Sequence, residues 1–261
     1  MVTDIKKLFG NKMFLIALAA LFFSAIYDPL FMGRTTYKYY ENPFMWWMFM
    51  KTSGSMIYNT LFWIFPVFLT GLVFFDEKNS ALYGILISKE NRILYFVSKV
   101  VSVFCVIFVC TLIIFLINLL LIYGFCPDKM SIEKYLIPQD GSFAFIFFQE
   151  SPLLMAFVYN ILHALAMALL TTLYLSIHMV FQFRNKYIAV LVPVLLMYVI
   201  DFAVQATGHM EYSLTILLQP MAAMASTKIL GIEQLTHVFI SLIVFVLIGF
   251  MIGIKRNRDV L

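Results

Sequence analysis

Charged side chains are scarce in this chain. Only 12% of its 261 residues are Asp, Glu, Lys or Arg, while 63% are hydrophobic and 28 residues are Phe. A soluble domain of this length has about one-quarter charged residues. The shortage excludes a water-soluble core, so we expect the lipid bilayer to be the solvent.

Polar linkers and low-complexity tracts are also missing, and this predicts a single transmembrane domain over residues 1–261. The cysteines are few as well. Cys105, Cys110 and Cys126 are irregularly spaced and match neither a disulfide framework nor a metal-binding pattern.

Motifs for nucleotide binding and hydrolysis are absent. The sequence has no G-x-x-x-x-G-K-[ST], no H-E-x-x-H and no G-x-S-x-G. His163 and His178 share one apolar run, but 15 residues of helix separate them by about 22 Å, so they cannot share a metal. We interpret each as a hydrogen-bonding residue in helix packing.

Long apolar runs are abundant. A bilayer core needs about 20 helical residues, and six continuous runs meet that length. They predict an all-α, polytopic protein with spans near 12–31, 56–75, 99–123, 153–180, 187–207 and 235–254. The first span follows a basic segment without a small-residue cleavage site, and we interpret it as a retained signal helix.

The basic residues predict the orientation. With the amino terminus inside, twelve Lys and Arg fall on the cytoplasmic side and six outside. Six acidic residues fall in the outer segments: Asp128, Glu133, Asp140, Glu150, Glu211 and Glu233. The bias predicts that both termini are cytoplasmic.

The segment between the last two spans is apolar but too short to cross the bilayer. It reads SLTILLQPMAAMAST, from Ser213 to Thr227, and Pro220 divides it into two half-length pieces. We expect a re-entrant hairpin, whose backbone polar groups must find hydrogen-bond partners in the neighbouring helices. The alternative is an outer loop with two segments lying on the membrane surface.

Asp201 is the most unusual charge inside a predicted span. Gln205 and His209 follow it four and eight residues later, which predicts a polar stripe on one helix face. An intramembrane carboxylate is costly, so a substrate path is one hypothesis. An aspartate hydrogen-bonded to a neighbouring helix is the equally weighted alternative.

The segment between spans two and three mixes charge with an apolar helical face. It opens with Asp76 and Glu77, continues through leucines at Leu82 and Leu86, and reaches Arg92 before Lys99 opens the next span. Acidic and basic residues are mixed on its polar side. That mixture favours a protein partner over a lipid surface.

These residues resemble the signature of ABC-2-type transporter permeases. Asp76 and Glu77 match the acidic region, Leu82 and Leu86 the leucines, and Arg92 and Lys99 the two basic positions. Ser80 replaces the family's usual glycine and Lys89 its usual proline. The six spans, the inside termini and the predicted hairpin are also similar to that family.

The resemblance implies a function for the whole chain. Such a permease is the membrane subunit of a bacterial exporter in the cell membrane, works as a dimer of permeases, and moves drugs, antimicrobial peptides or lipid-like molecules outward. A separate cytoplasmic ATPase subunit holds ATP and Mg²⁺, so no cofactor and no nucleic acid is expected on this chain. The segment 76–99 would supply the coupling helix.

Two other classes stay open from the residues alone. An intramembrane enzyme would need two or more polar catalytic groups to converge at one depth, and the only candidates are Asp201, His163 and His178. A non-transporting immunity or sensor subunit would need no such site.

Overall fold

A computed structural model of the chain describes residues 2–27, 58, 61–71, 75–76, 92–125, 140–181, 183–219 and 230–256. Within these ranges the backbone is helical, with short turns and no strand. We number the helices α1 to α8 in chain order: α1 Val2–Gly10, α2 Lys12–Tyr27, α3 Arg92–Phe125, α4 Phe143–Glu150, α5 Pro152–Val180, α6 Lys186–Ala206, α7 Leu214–Leu217 and α8 Ile232–Arg256. A π-helical turn covers Val67–Gly71 and a 3₁₀ turn covers Met210–Tyr212.

Four of these helices are long and apolar enough to cross a membrane, namely α3, α5, α6 and α8. The pair of α1 and α2 adds a fifth candidate, bent by 72° at the junction. Asn11 makes that junction, because its side chain accepts hydrogen bonds from the Met13 and Phe14 amides at 2.8 and 3.3 Å. This is an N-cap, which begins a new helix axis.

Helix α1 is amphipathic and packs on the start of α3. Its Leu8 is buried while Lys6 and Lys7 are exposed. The Ser98 hydroxyl of α3 donates to the Asp4 carboxylate at 3.2 Å. The chain therefore begins with a short helix that lies across the bundle's end before α2 enters it.

Helix α5 forms the centre of the bundle. In its apolar window 61% of residues are buried, against 22% in α6 and in α8. Three of its buried hydroxyl groups are satisfied within the helix, because Thr171, Thr172 and Ser176 donate to carbonyls three or four residues earlier. Such bonds let hydroxyl groups lie in an apolar interior.

Hydrogen bonds and packing fix the helix directions. Asn118 near the end of α3 donates to the Ala25 carbonyl near the end of α2, so these helices run parallel. Asn160 near the start of α5 donates to the Phe115 carbonyl of α3 at 3.5 Å, so α5 runs antiparallel to α3. Helices α5 and α8 run parallel, since their last turns meet.

Two glycines bring α8 against α5. A Cβ at Gly249 would lie 2.6 Å from Ser176 Oγ, and one at Gly253 would lie 2.7 Å from Met179 Cβ. The pair forms a G-x-x-x-G motif, which permits close backbone approach between membrane helices. The motif was visible in the sequence as glycines four residues apart in an apolar run.

The bundle has two chemically different ends. Every described Lys and Arg whose side chain is placed lies at what we call the basic end: Lys6, Lys7, Lys12, Lys99, Arg184, Lys186, Lys255 and Arg256. The opposite end holds Asp140, Glu150, Glu211 and Glu233, with Asp201 just inside it. We call it the acidic end.

Three of the six predicted spans agree closely with described helices. The predicted spans 153–180, 187–207 and 235–254 lie within three residues of α5, α6 and α8 at each end. Helix α3 begins at Arg92, seven residues before the predicted start of the third span at Lys99. The residues from 92 to 98, RILYFVS, contain neither glycine nor proline, so the helix continues through them. Their apolar composition is compatible both with a helix in a loop and with a membrane span. The predicted span 56–75 and the end of the first span lie partly outside the described residues.

Candidate functional site

The carboxylate of Asp201 is the centre of a polar network at the acidic end. Ser213 Oγ donates to Oδ1 at 2.8 Å, and Thr215 Oγ1 donates to Oδ2 at 2.8 Å. Gln205 Nε2 donates to Oδ2 at 2.9 Å from one turn along α6. The predicted pairing of Asp201 with Gln205 on one helix face is thus present in the structure.

A tight chain reversal brings Ser213 and Thr215 back to Asp201. After α6 ends, Gly208 adopts a φ of 80°, a conformation that favours glycine. The 3₁₀ turn follows, and Ser213 then caps α7 by accepting from the Ile216 amide at 3.4 Å. Ser213 therefore serves both as helix cap and as ligand to the carboxylate.

The same segment is anchored to α5 through His163. Nε2 of His163 lies 2.8 Å from the Leu218 carbonyl oxygen, and Nδ1 lies 3.1 Å from the Tyr58 hydroxyl. Because a carbonyl only accepts, Nε2 carries the proton, and Nδ1 of the neutral ring accepts from Tyr58. His163 is thus the packing residue that the sequence predicted.

A cavity of about 300 Å³ opens beside these two networks. Asp201 and Gln205 of α6 face His163 of α5 across it, so the carboxylate and the imidazole border one space. Its walls are mixed polar and aromatic: Tyr58, Phe62, Trp63, His163, Tyr198, Asp201, Phe202, Gln205, Thr215, Leu218 and Gln219. None of these residues is basic apart from the hydrogen-bonded His163.

A second cavity of about 510 Å³ adjoins the first and is mainly apolar. It lies between α6 and α8 against α5, and Trp63 and Asp201 border both cavities. Leu196, Ile200 and Phe245 line it and are also exposed on the outer surface of the bundle. The second cavity therefore connects the polar network to the surface that would face lipid.

His178 is buried and interacts with the backbone of Ala189 at the start of α6, but among the described residues no hydrogen bond of ordinary geometry reaches its ring nitrogens. The prediction for His209 was wrong. His209 leaves the predicted stripe because α6 ends at Ala206. Its Nδ1 lies 3.5 Å from Glu211 instead, and the side chain is exposed.

The basic end holds the described part of the predicted coupling segment. Asp76 Oδ1 pairs with Lys186 Nζ at the start of α6 at 3.6 Å, with both side chains about half exposed. Lys99 is 3% exposed and donates to the Tyr95 hydroxyl at 3.1 Å, within α3. Asp4 of α1 lies near enough to interact with it electrostatically. Lys99 thus belongs to the contact between α1 and α3.

Four predicted site residues lie outside the described part of the chain: Glu77, Leu82, Leu86 and Pro220. Arg92 is described only as the first backbone position of α3. The structure therefore joins Asp201 with Gln205 at one end, and it places Asp76 and Lys99 at the other.

The geometry limits the chemistry of the cavity. Within the described ranges, no group of three or more His, Cys, Asp and Glu could hold a metal ion. Asp201 and His163 line one cavity, whereas His178 does not, and both nitrogens of His163 already have hydrogen-bond partners. Comparisons of the chain with protein-family models, curated proteins and solved structures found no match.

Proposed function

We propose that this chain is the membrane permease subunit of an ATP-driven, ABC-2-type exporter. It would move an amphipathic or hydrophobic molecule outward across a bacterial cell membrane. A separate cytoplasmic ATPase would bind ATP and Mg²⁺, and a second permease copy would complete the transporter.

The observation that carries the proposal is the pair of Asp76 with Lys186 at the basic end. It ties the start of the charged segment to the beginning of α6, beside the ends of α5 and α8. By the positive-inside rule a basic end faces the cytoplasm. The segment 76–91 would then face the cytoplasm, where a coupling helix must meet an ATPase.

The arrangement of the helices is consistent with six spans and inside termini. Helix α1, with its 72° bend, fits a helix lying at the cytoplasmic interface. The burial of Leu217 and Leu218, and the bond from His163 to the Leu218 carbonyl, support a re-entrant hairpin that turns back after Pro220. That hairpin's first half would close the outer side of the cavity.

Charge reversal in the coupling segment tests the proposal. The chain is co-expressed with the ATPase of the adjacent gene and purified through a tag on this chain. We expect the ATPase to co-purify, and Glu77→Lys or Arg92→Glu to abolish ATP-dependent transport in vesicles while expression and ATP hydrolysis persist. Glu233→Lys at the acidic end is the matched control. Absence of an associated ATPase, or normal transport in both coupling variants, would contradict the proposal.

A further inference from the structure

We propose that the two adjoining cavities form a binding site for a cationic amphiphile, with its positive head group at Asp201 and its apolar tail between α6 and α8. The inference names a substrate class for the transporter proposed above and rests on that function. Its evidence, however, is the site itself.

The first step concerns the charge of Asp201. The three side chains that donate to it, from Ser213, Thr215 and Gln205, are all neutral. Among the described residues no Lys or Arg pairs with this carboxylate. Neutral donors satisfy its lone pairs but leave its charge in place, and a buried charge is ordinarily paired. A cationic ligand would supply the missing charge.

The second step concerns the walls around the carboxylate. Tyr58, Trp63 and Tyr198 line the same cavity as Asp201. Aromatic faces attract cations, quaternary ammonium groups included. A cavity with one carboxylate, several aromatic rings and no lining Lys or Arg favours a positive head group over a neutral or negative one.

The third step concerns the tail. Asp201 and Trp63 border both cavities, so a head group at the carboxylate is adjacent to the apolar space. That space is lined by side chains such as Leu173, Val204 and Leu242 and reaches the outer surface of the bundle. An amphiphile dissolved in the bilayer could enter there with its tail and place its head against Asp201.

Three probes that share a dodecyl chain test the proposal directly. The protein is placed in phosphatidylcholine nanodiscs at about pH 8, where histidine side chains are neutral. Equilibrium binding is measured for dodecyltrimethylammonium, for the near-isosteric neutral dodecyldimethylamine oxide, and for anionic dodecyl sulfate. We expect saturable binding of the cation at least about 10-fold tighter than that of the amine oxide, because an ion pair forms in a partly buried site.

Variants locate the effect. Asp201→Asn should equalise the affinities of the cation and the amine oxide, and retained amine-oxide binding shows that the variant is folded. Gln219→Lys leaves Asp201 and its donors intact but adds an ammonium to the cavity wall, so it should remove the preference too. Glu233→Gln, an exposed carboxylate of α8, is the control and should keep the preference.

The proposal is overturned by equal affinities in the unchanged protein, by absence of saturable cation binding, or by a preference that persists in Asp201→Asn and Gln219→Lys. None of these measurements requires an ATPase. A cation preference without any associated ATPase would therefore refute the permease assignment and leave the binding site standing.

Discussion

The two ends of the bundle are held together by different means. At the basic end, α8 approaches α5 through Gly249 and Gly253, and the charges lie at the surface or in short helix contacts. At the acidic end, buried polar side chains tie α5, α6 and the returning segment together around Asp201 and His163. The first end is built for close packing, and the second combines packing with a polar cavity. Under the proposed function, attachment of the ATPase and binding of the substrate would lie at opposite ends.

The largest effect is expected at the basic end. In Gly253→Leu the new side chain meets Met179 at its Cβ, which cannot move away without moving α5. Overpacking of this kind costs about 3 kcal/mol. Unfolding in mixed micelles of increasing dodecyl sulfate fraction measures the change. The control is Gly124→Leu in α3, where no atom lies within 4 Å of the added Cβ. An equal loss of unfolding free energy in both variants would mean that α5 and α8 are not in contact at Gly253.

Asp201→Ala should have the next largest effect. It leaves the hydroxyls of Ser213 and Thr215 and the amide of Gln205 without their shared acceptor. These groups then keep only their hydrogen bonds with one another, and we expect a loss of about 2 kcal/mol in total. Unfolding in the same mixed micelles measures the loss. In the control, Glu233→Ala at an exposed position, the free energy of unfolding should change by less than about 0.5 kcal/mol. A stability unchanged by Asp201→Ala would show that the network does not hold the returning segment.

The two histidines of α5 give a matched comparison of the ends. His163→Leu strands the Tyr58 hydroxyl and the Leu218 carbonyl, so we expect a loss of about 1–2 kcal/mol. His178→Leu removes a buried polar ring that interacts with the Ala189 backbone but makes no hydrogen bond of ordinary geometry among the described residues, so its loss of stability should be smaller. The ranking of the two melting temperatures checks this. If His178→Leu lowered the melting temperature more than His163→Leu, buried polar contacts would not be more important at the acidic end than at the basic end.

The smallest effect belongs to the pair of Asp76 and Lys186. The two side chains are about half exposed, so their coupling should be about 0.5 kcal/mol or less. A double-mutant cycle with Asp76→Asn and Lys186→Gln measures it in the same unfolding assay. A coupling energy above about 1 kcal/mol would contradict this expectation, and it would mean that the pair contributes to stability by restraining the segment after Asp76.

Sequence patterns anticipated the parts of this structure that depend on composition and helical period. Spans α5, α6 and α8 follow from uninterrupted apolar runs, and the pair of Asp201 and Gln205 follows from their four-residue spacing. The start of α3 did not follow, because RILYFVS suits both a loop helix and a span. Ser213, Thr215 and the Leu218 carbonyl reach Asp201 and His163 only through the chain reversal at Gly208. No local period encodes such contacts between distant segments.

The same limit explains the wrong prediction for His209. His209 was extrapolated from the helical period of Asp201 and Gln205. The helix ends at Ala206, so the period no longer applies.

The central claim is that an ATPase docks at the basic end through the segment that begins at Asp76. Photo-crosslinking in native membranes tests it most directly. A benzoylphenylalanine is introduced in place of Leu86 in the proposed coupling segment or in place of the exposed Met210 at the acidic end, with the ATPase co-expressed. We predict a crosslinked product with the ATPase from position 86 and none from position 210. A crosslink from position 210, or its absence from position 86, would contradict the claim.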